Sequence, residues 1–142
     1  MKVRDLMSKP VIRIHAEEPV SVAARTLTHY NIGAMPVCDT NGQVCGMLTD
    51  RDIVTRCLAA NRDLERTTVG DVMTQAVQSV DADADASFAA HIMGRKQIRR
   101  LPVVENGRLC GVISLGDLAN CEENAFDAAD ALTEITSNIS NR

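Results

Sequence analysis

The stretch GMLTDRD at residues 46–52 is written again as GVISLGD at residues 111–117. In both, a glycine and two aliphatic residues lead to a hydroxyl side chain, Thr49 or Ser114, and three residues later to Asp52 or Asp117. Working outward, an offset of 66 residues aligns Val3, Asp5 and Met7 with Val69, Asp71 and Met73, and Ile32, Pro36 and Val37 with Ile98, Pro102 and Val103. After one deletion near Thr40 the offset becomes 65, and Asn41, Gly42, Cys45 and Gly46 fall on Asn106, Gly107, Cys110 and Gly111. Over residues 3–39 and 41–56, 16 of 53 aligned positions are identical, and the single gap falls at a turn, where a duplication tolerates one. The chain therefore reads as repeat 1 over residues 1–60, a charged linker over 61–68, repeat 2 over 69–121 and a tail over 122–142.

Each copy predicts the same elements. A helical turn at VRDLM or VGDVM precedes a short strand over residues 11–14 or 77–80. A helix follows, opened by Pro19 or Asp85. Its apolar stripe is Val20, Ala23, Ala24 and Leu27 in one copy and Ala86, Ala89, Ala90 and Met93 in the other. Two strands then flank a turn whose Asn-Gly pair is a hairpin signal, and DRDIVTRCLAA or LGDLANCEE closes the copy as a second helix. The order β-α-β-β-α, twice, predicts a mixed α/β (α+β) fold. A three-stranded sheet this small cannot bury both faces alone, so the copies are expected to pack about a pseudo-two-fold axis. In the tail, Phe126, Ala129, Leu132 or Thr133, and Ile135 or Thr136 recur at helical spacing, predicting an amphipathic helix that packs on the module or on a second subunit.

The totals narrow the possibilities. A chain of 142 residues buries roughly 68–70% of its unfolded surface, enough for an ordinary core. Only 2% of residues are aromatic against 45% apolar, so that core must be aliphatic, sulfur-containing and alanine-rich. The net charge of −4 argues against nucleic acid as the main partner, although Arg95, Lys96, Arg99 and Arg100 form a dense basic cluster. The first residues have no signal-peptide core and no segment reaches the length of a membrane helix, which reads as a cytoplasmic protein with no membrane association. The five cysteines make no CxxC pair and have no histidine at ligand spacing, so they read as reduced apolar fillers and not as a metal site.

The repeated phrase sits at a strand-to-helix junction. There, first-turn N–H groups lack helical partners and favour an anion, and a hydroxyl adds a donor. An ionised carboxylate three residues on is an acceptor only, and can take two hydrogen bonds from a vicinal diol such as a ribose. The phrase can thus hold a nucleotide, phosphate at the hydroxyl and sugar at the aspartate. It is equally a helix N-cap with its capping box, and repetition suits both readings.

Two tandem units carrying V-x-D-[LV]-M, I-x-x-[ML]-P-V and G-[MV]-[LI]-[TS]-x-x-D in order closely resemble a cystathionine β-synthase (CBS) domain pair, or Bateman module, over residues 3 to about 121. The resemblance implies a regulatory module binding adenosine-type ligands (AMP, ADP, ATP, S-adenosylmethionine, sometimes NAD) in clefts between the repeats. It implies ribose at Asp52 and Asp117, and phosphate or ribose at Thr49 and Ser114. Adenine would lie among Val11, Ile12, Ile32, Met35 and Pro36, or among Val77, Ile98, Leu101 and Pro102. By analogy it also implies a homodimer, as a flat four-repeat disc.

The copies differ where a phosphate would sit. Arg99 and Arg100 replace Gly33 and Ala34, and the variable pair is Asp50-Arg51 in one copy and Leu115-Gly116 in the other. Arg51, Arg99 and Arg100 are candidate phosphate contacts, whereas Asp50 would repel a phosphate it faced. The alternative for the second cluster is a solvated helix end. His15, His29 and His91 are not duplicated, and neither G-x-x-x-x-G-K-[ST] nor G-x-G-x-x-G occurs, so no enzyme is expected. The favoured expectation is a stand-alone adenosine-ligand sensor with an unknown effector protein. The alternatives are an interaction module with vestigial clefts, and nucleic-acid binding through the basic cluster.

Overall fold

The computed structural model describes residues 1–75 and 77–140. They form two compact units: a continuous unit, Ile12–Val77, and a split unit made of Met1–Val11 with Gln78–Arg142. The continuous unit contains β1 (Ile14–His15), α2 (Val20–Tyr30), β2 (Ala34–Cys38), β3 (Val44–Thr49), α3 (Asp50–Ile53), a π-helical turn (Val54–Leu58) and α4 (Val69–Val72). The split unit takes α1 (Val3–Leu6) and then β4 (Val80–Asp81), α5 (Ala86–Lys96), β5 (Arg100–Glu105), β6 (Arg108–Ser114), α6 (Leu115–Ala119), a 3-10 turn (Glu122–Asn124) and α7 (Ala125–Ser140). Each unit has one three-stranded sheet, in the orders β1-β2-β3 and β4-β5-β6, with the first pair parallel and the second antiparallel.

The leading helix of each repeat thus packs in the unit that holds the other repeat's sheet. Val69 and Gly70 donate N–H bonds to the carbonyls of Glu18 and Ala16, both at 2.8 Å. Val3 and Arg4 do the same to Ala84 and Ala82, both at 2.9 Å. Beyond these helices, Met47 and Thr74 exchange backbone bonds, as do Ser8 and Val112. These bonds cover the outer edges of β3 and β6, which would otherwise present unpaired backbone groups. The approach is close enough to require the repeated glycines. A Cβ at Gly46 would lie 2.5 Å from Met73 Sδ and 2.8 Å from the Thr74 carbonyl oxygen, and one at Gly111 would lie 2.6 Å from Met7 Sδ.

Each core lies between a sheet and its helices. In the continuous unit Val20, Ala23 and Leu27 of α2 pack with Met35, Val37, Leu48, Ile53, Val69 and Val72. In the split unit Ala86, Ala89, Ala90 and Met93 of α5 pack with Leu101, Val103, Ile113, Leu118 and Val3. The expected stripes are buried except for Ala24, which is half-buried. The first strands are shorter and later than predicted, because only Ile14-His15 and Val80-Asp81 find partners, on Val37-Cys38 and Val103-Val104. The hairpins explain the gap between the repeats. Asn106 and Gly107, both with positive φ, join β5 to β6 directly, whereas the β2–β3 loop runs over residues 39–43 and folds onto the Asp39 carboxylate.

The tail helix forms and buries Ile135 of the expected stripe, but the rest of its buried face is rotated away from Phe126 and Leu132. Ala128, Ala131 and Ile135 are buried, while Phe126 is 86% exposed and Leu132 is 40% exposed. Small residues decide this, since α7 lies against α5 at Gly94. A Cβ there would stand 3.3 Å from Ala131 Cα and 2.6 Å from Glu134 Oε2. The helix predicted over LGDLANCEE stops at Ala119 and re-forms as the 3-10 turn that leads into α7. All five cysteines are unpaired, and burial pushes the Cys38, Cys45 and Cys110 thiols up, away from the reactive thiolate.

Candidate functional site

Both copies of the repeated phrase fold into the same reciprocal cap. Thr49 Oγ1 accepts from the Asp52 N–H at 3.0 Å, and Asp52 Oδ2 accepts from the Thr49 N–H at 3.1 Å. Ser114 Oγ accepts from the Asp117 N–H at 3.0 Å, and Asp117 Oδ2 accepts from the Ser114 N–H at 2.8 Å. Thr49 and Ser114 have extended backbones as they leave β3 and β6, which aims each hydroxyl over the first helical turn. The capping reading is therefore realised in both copies. Any ligand would use what the caps leave over.

What they leave over differs. Asp52 is 7% exposed, and its own chain engages both carboxylate oxygens. Thr74 Oγ1 donates to Oδ2 at 3.4 Å, and Arg56 Nε stands 3.8 Å from Oδ1. The same guanidinium donates through Nη1 to the carbonyls of Val72 at 3.3 Å and Met73 at 3.0 Å. In the split unit Cys121 stands where Arg56 does and Ser8 where Thr74 does. Asp117 is half-buried, and among the described residues nothing bonds its Oδ1.

Strand register supplies the rest of the site. It sets Arg100 opposite Ser114 across the β5–β6 pair, and Ala34 opposite Thr49 across β2–β3. Arg99, Arg100, Ser114, Leu115 and Gly116 line a cleft of about 590 Å³ in the split unit, and its far wall is α7, through Ala125, Ala128, Ala129 and Leu132. Neither arginine forms an ion pair among the described residues. Arg95 and Lys96 belong to a separate cavity of about 380 Å³ with Gln78, His91 and Ile92, so the basic cluster is divided in two. In the continuous unit the place of Arg99 is taken by Gly33. The Asp50 carboxylate lies over it, 3.5 Å from where a Cβ would be, while its Oδ1 accepts from the Arg51 N–H at 2.8 Å. Arg51 is exposed and makes no ion pair among the described residues.

Several predicted residues do not line this cleft. Asp117 does not line the cleft directly but is bonded to Ser114, which does. Met35 and Leu101, expected beside adenine, are 1% and 0% exposed and belong to the two cores. Pro36 and Pro102 are buried, and Val11, Ile12, Ile32, Val77 and Ile98 are half-buried. None of the nine lines the cleft. The α7 wall was absent from the sequence reading. Its signal was the pairing of Gly94 with the small residues Ala128 and Ala131, which permits a close helix crossing. Among the described residues no group of three or more His, Cys, Asp or Glu could hold a metal ion, and no helix is long and apolar enough to cross a membrane.

The CBS domain model matches residues 3–59 and 69–124. The CBS domain-containing protein YhcV of Bacillus subtilis is 37% identical over 134 residues, which are 94% of each chain. The crystal structure of Hypoxic Response Protein I, with two coordinated zinc ions, is 35% identical, with a TM-score of 0.78 over 84% of this chain and 97% of that one. The CBS domain pair of protein MJ0100, in complex with 5′-methylthioadenosine and S-adenosyl-L-methionine, is 30% identical, with a TM-score of 0.73 over 84% of this chain and 93% of that one. The doubled phrase, the two sheets of matching topology and these likenesses agree, and the chain belongs to the CBS domain family as a tandem pair.

Proposed function

We propose that this chain is a regulatory sensor that binds an adenosine-type ligand and passes the bound state to an effector protein. The observation that carries the reading is the strand register that sets Arg100 opposite Ser114, with Arg99 in the same cleft and the Asp117 Oδ1 uncommitted. Two guanidinium groups without an ion pair among the described residues, together with a hydroxyl, suit a phosphate, and a carboxylate oxygen that nothing described bonds suits a ribose diol. The MJ0100 pair, which holds S-adenosyl-L-methionine and 5′-methylthioadenosine, supports the adenosine half of the proposal. The arginines favour AMP, ADP or ATP over a sulfonium ligand, because each charge-assisted contact is worth about 1.5–3 kcal/mol.

The proposed role is regulatory and not catalytic: His15, His29 and His91 sit on three separate elements, β1, α2 and α5. Apolar side chains left exposed on helices, Phe88 and Phe126 in one unit and Leu58 in the other, support a homodimer as the working form. A second reading, an interaction module without ligand, draws on the complete capping boxes, which need no ligand to satisfy Thr49 or Ser114.

A thermal-shift series with AMP, ADP, ATP, S-adenosylmethionine and NAD against GTP separates the two. At 100 times its dissociation constant a ligand adds about 2.7 kcal/mol of stability. A rise in midpoint confined to adenine ligands and lost in Asp117→Asn is the expected result. Protein free of bound nucleotide that responds to none of them is the interaction module.

A further inference from the structure

We infer that the first copy of the phrase is closed by the chain's own side chains, Arg56 and Asp50, so that each chain takes one equivalent of nucleotide, at the second copy. The inference rests on the sensor reading above and assigns its stoichiometry to named residues.

A diol binds a carboxylate by donating to its oxygens. At Asp52, Oδ2 accepts from the Thr49 N–H and, at 3.4 Å, from the Thr74 hydroxyl, while Oδ1 is faced by the Arg56 guanidinium as an ion pair at 3.8 Å. Arg56 is exposed over half of its side chain, and its guanidinium is nonetheless tethered. It is anchored at the same time to the carbonyls of Val72 and Met73, so a sugar entering here would have to displace a side chain held at three points. The place where the split unit presents Arg99 carries Asp50 in the continuous unit, its carboxylate lying over Gly33. A phosphate there would meet an anion where the other copy offers two cations. Thus the sugar position is filled by a guanidinium and the phosphate position by a carboxylate, each the reverse of what a nucleotide needs.

The split unit lacks both devices. Cys121 replaces Arg56, and its thiol donates to Asn124 Oδ1 at 3.7 Å. Leu115 replaces Asp50 and is 8% exposed, part of the core. Ser8, in place of Thr74, makes no side-chain bond to Asp117 among the described residues. The aspartate and the hydroxyl are shared by both copies, so a count of motifs yields two sites. The side chains around them leave one.

The test is isothermal titration of the full chain with AMP and with ATP, comparing wild type, Asp52→Asn, Asp117→Asn, an opened variant (Asp50→Leu with Arg56→Cys) and a closed variant (Leu115→Asp with Cys121→Arg). Expected are one equivalent in wild type and a loss of tenfold or more in Asp117→Asn, about what one charge-assisted contact is worth. Asp52→Asn should stay within about twofold of wild type, and the opened variant should show a second equivalent. Urea midpoints report whether the closed and opened variants fold. If the closed variant does not, the two single asparagine variants decide the matter. Two equivalents in wild type, one of them removed by Asp52→Asn, would overturn the inference and leave the sensor reading standing. One equivalent removed by Asp52→Asn and kept in Asp117→Asn would also overturn it. No binding of either nucleotide to wild type would overturn both.

Discussion

In the continuous unit the aspartate of the repeated phrase works for the fold. Asp52 caps α3, takes a bond from Thr74 on the segment after α4, and holds Arg56, which in turn clasps two carbonyls of the Val72-Met73 segment. In the split unit the aligned Asp117 caps α6 and does nothing else among the described residues. Two copies of one motif therefore have unequal reserves, and a motif shows which atoms are present but not which are free. The tail sharpens the contrast. In the split unit a helix, α7, walls a cleft beside the phrase, and α7 can approach because Gly94 stands where the other copy has Thr28.

Four perturbations would break or sharpen this comparison. The largest effect is expected in the cores. Leu118 and Ile53 are aligned across the repeats, and Leu118→Ala should destabilise the protein by about 2–5 kcal/mol in urea unfolding. Ile53→Ala should fall toward the low end, since Ile53 is 7% exposed and Leu118 is 0%. Next come the glycines under the exchanged segments, where Gly46→Ala and Gly111→Ala should each cost about 1–3 kcal/mol by overpacking. Gly46→Ala should be the worse of the two. Its Cβ meets the Thr74 carbonyl oxygen at 2.8 Å, whereas the nearest carbonyl oxygen at Gly111, that of Ser8, is 3.1 Å away.

A smaller loss separates the aspartates. Without ligand, Asp117→Ala should cost about 1 kcal/mol as a lost cap, and Asp52→Ala more, because it also strips Arg56 and Thr74 of their acceptor. Equal losses in urea unfolding would mean that Asp52 holds nothing beyond its cap.

The smallest effect is in acid. Arg4 holds the Asp83 carboxyl below its ordinary value of 3.8, and the Ser87 N–H does the same for Asp85, both in the split unit. In the continuous unit the Thr68 N–H lowers Asp71. A depressed carboxylate stabilises the fold above its unfolded value, and that contribution is lost as pH falls through the lower, folded value. Stability should therefore decline below about pH 4. Arg4→Met should flatten part of that decline in a pH series of urea midpoints, since Asp83 then keeps only the weaker pull of Lys2.

The sequence alone determined the repeat, the element order, the hairpins and the capping positions, because these depend on local spacing and on residues such as Asn106, Gly107, Thr49 and Ser114 whose preferences act within a few positions. It also carried the family, through motifs that occur twice in order. Tertiary structure decided what depends on neighbours distant in the chain. The packing of α1 and α4 with the other repeat's sheet was invisible, because both segments carry the same V-x-D-[LV]-M motif and no local spacing says which sheet each joins. The face of α7 was misread because the helix docks by small residues at Gly94, so that Phe126 stays outside while alanines go in. The inequality of Asp52 and Asp117 was hidden for the same reason. It lies in Thr74, 22 residues away, and in the clasp of Arg56 on the Val72 and Met73 carbonyls: i,i+4 spacing sets Arg56 near Asp52, but only the folded chain brings that segment to it.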